Sequence, residues 1–105
     1  MTLPVRFEVE AEEELQEAAA WYERERRGFG MALLERVAET VERIRESPEG
    51  FSRAPGVPPD LHVRRALVQR FPYAVVFVGL EDEIRILAIA HGRRRPGYWR
   101  ERLAG

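Results

Sequence analysis

The chain contains no cysteine and no lysine, and each absence narrows its chemistry. Without thiols there is no disulfide, no thiolate nucleophile and no cysteine-based zinc site. The two histidines, His62 and His91, stand well apart in sequence, too few for a structural zinc centre. No metal or other cofactor is expected. All 17 basic residues are arginine. Arginine keeps its proton at any accessible pH, so it stabilises negative charge but serves poorly as a general base. No apolar run approaches the roughly 20 residues that span a bilayer. No charged n-region followed by an apolar h-region marks the N-terminus. A cytoplasmic location away from membranes is expected.

What is present is an uneven distribution of charge. Residues 1–50 hold 13 acidic groups and 7 arginines, and residues 51–105 hold 5 acidic groups and 10 arginines. The overall net charge of −1 therefore conceals an acidic first half and a basic second half. A bipolar surface of this kind suits an anionic partner on one face. At 105 residues the chain is expected to be a single domain, 1–105, with one core between two packed layers.

Val5-Arg6-Phe7-Glu8-Val9 alternates apolar and polar residues and predicts a short strand. The period then changes. Ala11, Leu15, Ala18 and Tyr22 form a helical stripe over 11–27, with glutamates in the first turn and arginines in the last, both favourable to the helix dipole. Gly28-Phe29-Gly30 interrupts it. A second helix over 31–46 carries Leu34, Val37, Val41 and Ile44 on one face and stops at Ser47-Pro48. The short connection makes the two helices an antiparallel hairpin. A loop rich in proline follows over 51–60. Three strands are then predicted at 61–68, 73–78 and 84–90, joined by turns too short for a crossover and hence an antiparallel meander. A short helical tail is expected near 98–103. The fold class is α+β, ordered β-α-α-β-β-β, with the hairpin packed on one face of the sheet.

The densest functional composition follows the last strand. His91-Gly92-Arg93-Arg94-Arg95-Pro96-Gly97-Tyr98-Trp99-Arg100 combines one histidine, four arginines and two aromatics. Alternation along the last strand places Ile84, Ile86, Ala88 and Ala90 against the helices, and Arg85, Leu87, Ile89 and His91 on an open face. Arg64 and Arg65 fall on opposite faces of the first meander strand, so one of them shares the face of His91. A histidine near neutrality with arginines and a tyrosine suits cleavage of an RNA backbone, which needs a base, an acid and cations around the phosphoryl group. The plainer reading is a binding surface of arginines with Tyr98 and Trp99 anchoring the tail.

Three segments carry a family resemblance: Arg64-Arg65-Ala66-Leu67-Val68-Gln69-Arg70-Phe71-Pro72-Tyr73-Ala74-Val75-Val76-Phe77, then Ile84 to His91, then Arg94-Arg95-Pro96 with Trp99. They are similar to the RelE/ParE superfamily of bacterial toxins, the toxin halves of type II toxin–antitoxin modules, often described as plasmid-stabilisation proteins. The resemblance covers most of the chain and is more specific for the family than for one activity. It implies a cognate antitoxin as partner, in a homodimer or a toxin–antitoxin hetero-oligomer. It also implies one of two targets. ParE-like members poison DNA gyrase, whereas RelE-like members cut mRNA on the ribosome without a metal. The RelE-like catalytic set uses lysines and does not carry over to a chain that has none. A related ribonuclease set uses glutamate, arginine, histidine and tyrosine, and here Arg65, His91 and Tyr98 fill three of those roles with no glutamate assigned. The long hairpin and the Arg-Arg-Pro ending are the more ParE-like features. A gyrase-directed growth inhibitor is the first reading, an endoribonuclease the second, and a non-toxic nucleic-acid-associated relative the third. Arg64, Arg70, Arg85, Arg93, Arg94 and Arg95 are the expected binding residues.

Overall fold

The computed structural model describes residues 2–104. Strand β1 (Val5–Phe7) runs into helix α1 (Val9–Glu25), and a tight turn leads to α2 (Phe29–Glu46). Strands β2 (Val63–Leu67), β3 (Tyr73–Gly79) and β4 (Ile84–His91) follow a loop, and a 3-10 segment, Arg100–Ala104, forms the tail. The element order matches the periodicities, and the tail is 3-10 rather than α-helical. Among the described residues no helix is long and apolar enough to cross a membrane.

The hairpin holds together at its turn through two devices. The Glu23 carboxylate, late in α1, accepts the N–H groups of Gly28 and Gly30 at 3.0 Å each. It thereby satisfies first-turn donors of α2 that have no partner within the helix. At Gly30 a side chain would meet the Ala19 carbonyl at 2.5 Å, so only glycine lets the helices approach this closely. Ala11, Leu15, Ala18 and Ala19 of α1 are buried, as are Leu33, Val37, Thr40 and Ile44 of α2. The α2 stripe is thus rotated slightly from the expected one, leaving Leu34 and Val41 half-buried. Thr40 is tolerated inside because its hydroxyl donates to the Arg36 carbonyl at 2.7 Å.

The sheet order is β1-β4-β3-β2. Strands β2, β3 and β4 form the predicted antiparallel meander, and β1 adds to the far edge parallel to β4, with Val5 opposite Ile84. The sheet is therefore mixed, a long-range pairing that turn lengths cannot reveal.

Two expectations about its faces are overturned. Val76 pairs with Ala88 and Phe77 with Ile86, so Leu87 is an extra residue in β4, a β-bulge. Alternation slips there by one. Ile84, Ile86 and Ile89 pack against the helices, whereas Leu87 and Ala88 both lie on the opposite side. His91, paired with Tyr73, is carried to the helix side. The opposite face is not open either. Trp99, Tyr98 and Leu103 of the tail and Ala54 and Val57 of the loop pack onto Val63, Val76, Val78 and Leu87. Trp99 is only 2% exposed. Burying side chains of this size contributes about 1.5–3 kcal/mol each. Arg85, expected on an open face, is 7% exposed beneath this layer.

Candidate functional site

The basic cluster lies where β2 ends, β3 begins and β4 ends. After His91 the chain turns sharply, with Arg94 N–H donating to the His91 carbonyl at 3.0 Å and Tyr98 N–H to the Arg95 carbonyl at 3.2 Å. The tail then folds back over the sheet against the proline-rich loop. Gly56 (φ 86°) and Gly97 (φ 80°) make that crossing possible. A Cβ on Gly97 would stand 2.8 Å from the Gly56 carbonyl, and one on Gly56 would stand 2.8 Å from Pro96. Both the left-handed backbone and the closeness call for glycine.

The crossing leaves a cleft of about 350 Å³. Leu67, Phe71, Val76, Ala90 and Trp99 give it an apolar floor, and Arg65, His91, Arg94 and Arg95 rim it. Among the described residues no carboxylate lines it. The register settles the faces left open by the sequence. Arg65 opposite Val76 points to the cleft side, and Arg64 opposite Phe77 points to the helix side. Arg64 there donates to the Phe51 carbonyl at 2.6 Å. Arg70, at φ 70° in the β2–β3 turn, and Arg93 are exposed.

Arg65, His91 and Tyr98 thus meet on one cleft, yet Tyr98 is committed elsewhere. Its hydroxyl donates to Glu14 Oε2 at 2.7 Å. Two guanidiniums lie over its ring, Arg94 at 3.8 Å and Arg102 at 5.2 Å. Burial first, and the hydrogen bond to Glu14 second, push its pKa up from the ordinary 10.0. Tyr73 is raised as well, chiefly by burial. His91 accepts the Arg93 N–H at Nδ1 at 3.0 Å and meets the Tyr73 ring edge-on at 5.1 Å. With Arg94 it forms the ridge between this cleft and a second groove of about 240 Å³ beside Glu17 and Trp21 of α1.

Glu14 is the residue that sequence reasoning missed. Besides Tyr98, its carboxylate accepts Arg102 Nη1 and Nη2, each at 3.0 Å, and the Ile89 N–H at 3.0 Å. Arg102 also donates to the Leu87 carbonyl at 2.9 Å. Strand β1 stops opposite Ile86, so these two side chains complete the edge of β4 where no strand continues. Arg85 joins the same network, donating to Glu8 Oε1 at 2.6 Å and to the Arg102 carbonyl at 2.7 Å. Its expected role at an exposed surface gives way to a structural one. A clue to Glu14 was available: in the spacing Ala11, Glu14, Leu15, Ala18 it occupies the buried stripe of α1.

A two-helix hairpin on a four-stranded sheet, ending in an arginine-rich turn and a folded-back tail, is the RelE/ParE-like class of small α+β domain. The family model describing the ParE toxin of the type II toxin–antitoxin system, parDE, matches residues 5–96, and the chain belongs to that family. A solved structure of a chromosomal ParDE toxin–antitoxin system from P. aeruginosa shares the fold, with a TM-score of 0.74 and 21% sequence identity. The match covers 86% of this chain and 96% of that one. No curated protein sequence matches the chain significantly. Membership makes this the toxin component of a toxin–antitoxin module and implies a cognate antitoxin.

Proposed function

We propose that the chain arrests growth in the cytoplasm by binding DNA gyrase rather than by cutting RNA. Family membership supports this reading, and the state of Glu14 and Tyr98 carries it. A ribonuclease of the glutamate–arginine–histidine–tyrosine type needs an acid and a base free to exchange protons with substrate. Here Glu14, the glutamate bonded to the tyrosine, holds four hydrogen bonds, and the tyrosine hydroxyl is one of their donors. The pair acts as a structural clasp between α1 and the tail. The arginines that remain exposed, Arg65, Arg70, Arg93, Arg94 and Arg95, suit binding.

A second reading, a ribosome-dependent endoribonuclease, is favoured by one observation: Arg65, His91 and Tyr98 line a single cleft. Controlled expression with two readouts separates the readings. The gyrase reading expects gyrase-dependent DNA breaks and intact mRNA on translating ribosomes. Cleaved mRNA that is lost in His91→Ala sinks it. Normal growth with neither readout points to a non-toxic relative.

A further inference from the structure

We infer that the second groove, between α1 and the end of β4, binds a guanine mononucleotide, with the base on Trp21, its Watson–Crick edge at Glu17 and its phosphate at Arg94 and His91. The inference is independent of the gyrase reading. Glu14, Glu17 and Trp21 stand at i, i+3 and i+7 of α1 and so form one ridge of that helix. Ile89 and His91 of β4, Tyr73 of β3 and Arg94 of the turn make the facing wall. The groove measures about 240 Å³. That is below the roughly 300 Å³ at which pockets for whole drug-sized ligands begin, and it leaves room for one flat heterocycle with its sugar outside.

The two walls differ in chemistry. On α1, Trp21 is 50% exposed, and Tyr22 stands at right angles to it at 5.0 Å. It is a braced ring with open surface on which a base stacks. Glu14 is fully engaged, but the exposed Glu17 carboxylate makes no ion pair or hydrogen bond among the described residues. On the facing wall Arg94 forms no ion pair either. Its stacking on Tyr98 at 3.8 Å occupies a guanidinium face and leaves the in-plane N–H groups for a phosphate. Nδ1 of His91 accepts the Arg93 N–H, which leaves Nε2 as the donor of the neutral ring. A basic side chain in this groove would meet Arg94, and a simple anion would meet Glu17. A nucleotide carries both a donor edge and an anion. A carboxylate only accepts, and guanine offers it N1–H and N2–H side by side, whereas adenine sets an acceptor nitrogen against it. A nucleic-acid strand fits less well, because it needs successive stacking rings and would meet Glu10 and Glu13, exposed on the preceding turns of α1.

The test titrates the full chain with GMP, AMP, CMP and inorganic phosphate, read by calorimetry and by tryptophan fluorescence. The chain has two tryptophans and Trp99 is 2% exposed, so quenching by a stacked base reports Trp21. GMP is expected to quench and to bind about tenfold or more tightly than AMP or CMP. Glu17→Gln keeps one acceptor and gains a donor, and is expected to erase the preference for GMP over AMP. Trp21→Leu is expected to weaken GMP roughly tenfold. Arg94→Gln is expected to weaken GMP by roughly as much and to leave guanosine unchanged. All three side chains are exposed, and thermal melts show whether each variant is folded. Absence of quenching by GMP, equal affinity for GMP and AMP, or unchanged GMP affinity in folded Glu17→Gln overturns the inference. So does inorganic phosphate that binds as tightly as GMP, which reduces the site to its cations. A short single-stranded RNA carrying one guanine that binds more tightly than GMP overturns the mononucleotide and assigns the groove to nucleic acid. Growth arrest enters none of these readouts, so their failure leaves the gyrase reading untouched.

Discussion

The main-chain N–H of Ile89 ends on the carboxylate of Glu14, 75 residues earlier, at 3.0 Å. That bond places a helix side chain in the position of a missing strand. With Arg102 on the Leu87 carbonyl, it satisfies polar groups at the edge of β4 that burial would otherwise leave costly.

Removing the carboxylate should therefore loosen both the sheet edge and the tail. Glu14→Ala strands the Arg102 guanidinium, whose side chain is 14% exposed, and leaves the Ile89 N–H unsatisfied. A loss of about 2–4 kcal/mol in urea unfolding is expected. Glu14→Gln keeps an oxygen acceptor and should lose about half as much. Equal stability of Glu14→Ala and the parent chain would contradict the clasp.

Tyr98→Phe separates structure from chemistry. The lost hydrogen bond to Glu14 should cost about 1.5 kcal/mol, while growth arrest persists if the toxin acts by binding. The variant should also behave differently in alkali. Because the folded-state pKa of Tyr98 lies above 10.0, its stabilising contribution is complete below that value. It declines as pH rises, because only the unfolded chain releases this proton. Stability curves should show a gentler alkaline decline for Tyr98→Phe than for the parent.

Glu8 governs the acid side. Its pKa is lowered from 4.5, mainly by the hydrogen bond from Arg85, with attraction from Arg6 adding to it. A depressed carboxylate stabilises the fold fully above its unfolded pKa and loses that contribution as pH falls toward the folded value. Unfolding measured from about pH 6 down to about pH 3 should fall less steeply for Glu8→Gln than for the parent chain.

Gly97→Ala tests the crossing of tail and loop. The substitution combines a left-handed backbone with a 2.8 Å approach to the Gly56 carbonyl. A cost of about 1–3 kcal/mol in thermal melts follows. Trypsin, which cleaves after arginine, should cut near Arg100 and Arg102 sooner than in the parent.

Most of the architecture was legible because it rests on local signals. The stripe from Ala11 to Tyr22, the break at Gly28 and the short turns of the meander each have one physical reading. The two histidines and the arginine cluster were also visible, as was Trp99 as an anchor. What stayed hidden depends on distant segments. Strand β1 joins β4 in parallel, and nothing near Val5 or Ile84 announces it. Arg85 reads as exposed because an arginine among apolar residues ordinarily faces water. Glu8 and the Arg102 carbonyl, brought from opposite ends of the chain, help make its burial tolerable. The assignment of His91 failed for a smaller reason, the extra residue at Leu87.

That extra residue has a consequence for descent. Whether the histidine belongs to the helix side or the tail side depends on a count, not on the kind of side chain at Leu87. Deleting one codon there would restore strict alternation yet leave Ala88 opposite Val76 and His91 opposite Tyr73, so Ile89 and His91 would stay on the helix side. By contrast, a single in-frame deletion beyond the bulge, at Ile89, would move His91 by one position and exchange what the two grooves display. Two lineages with nearly identical residues around this strand would then present different surfaces to their partners.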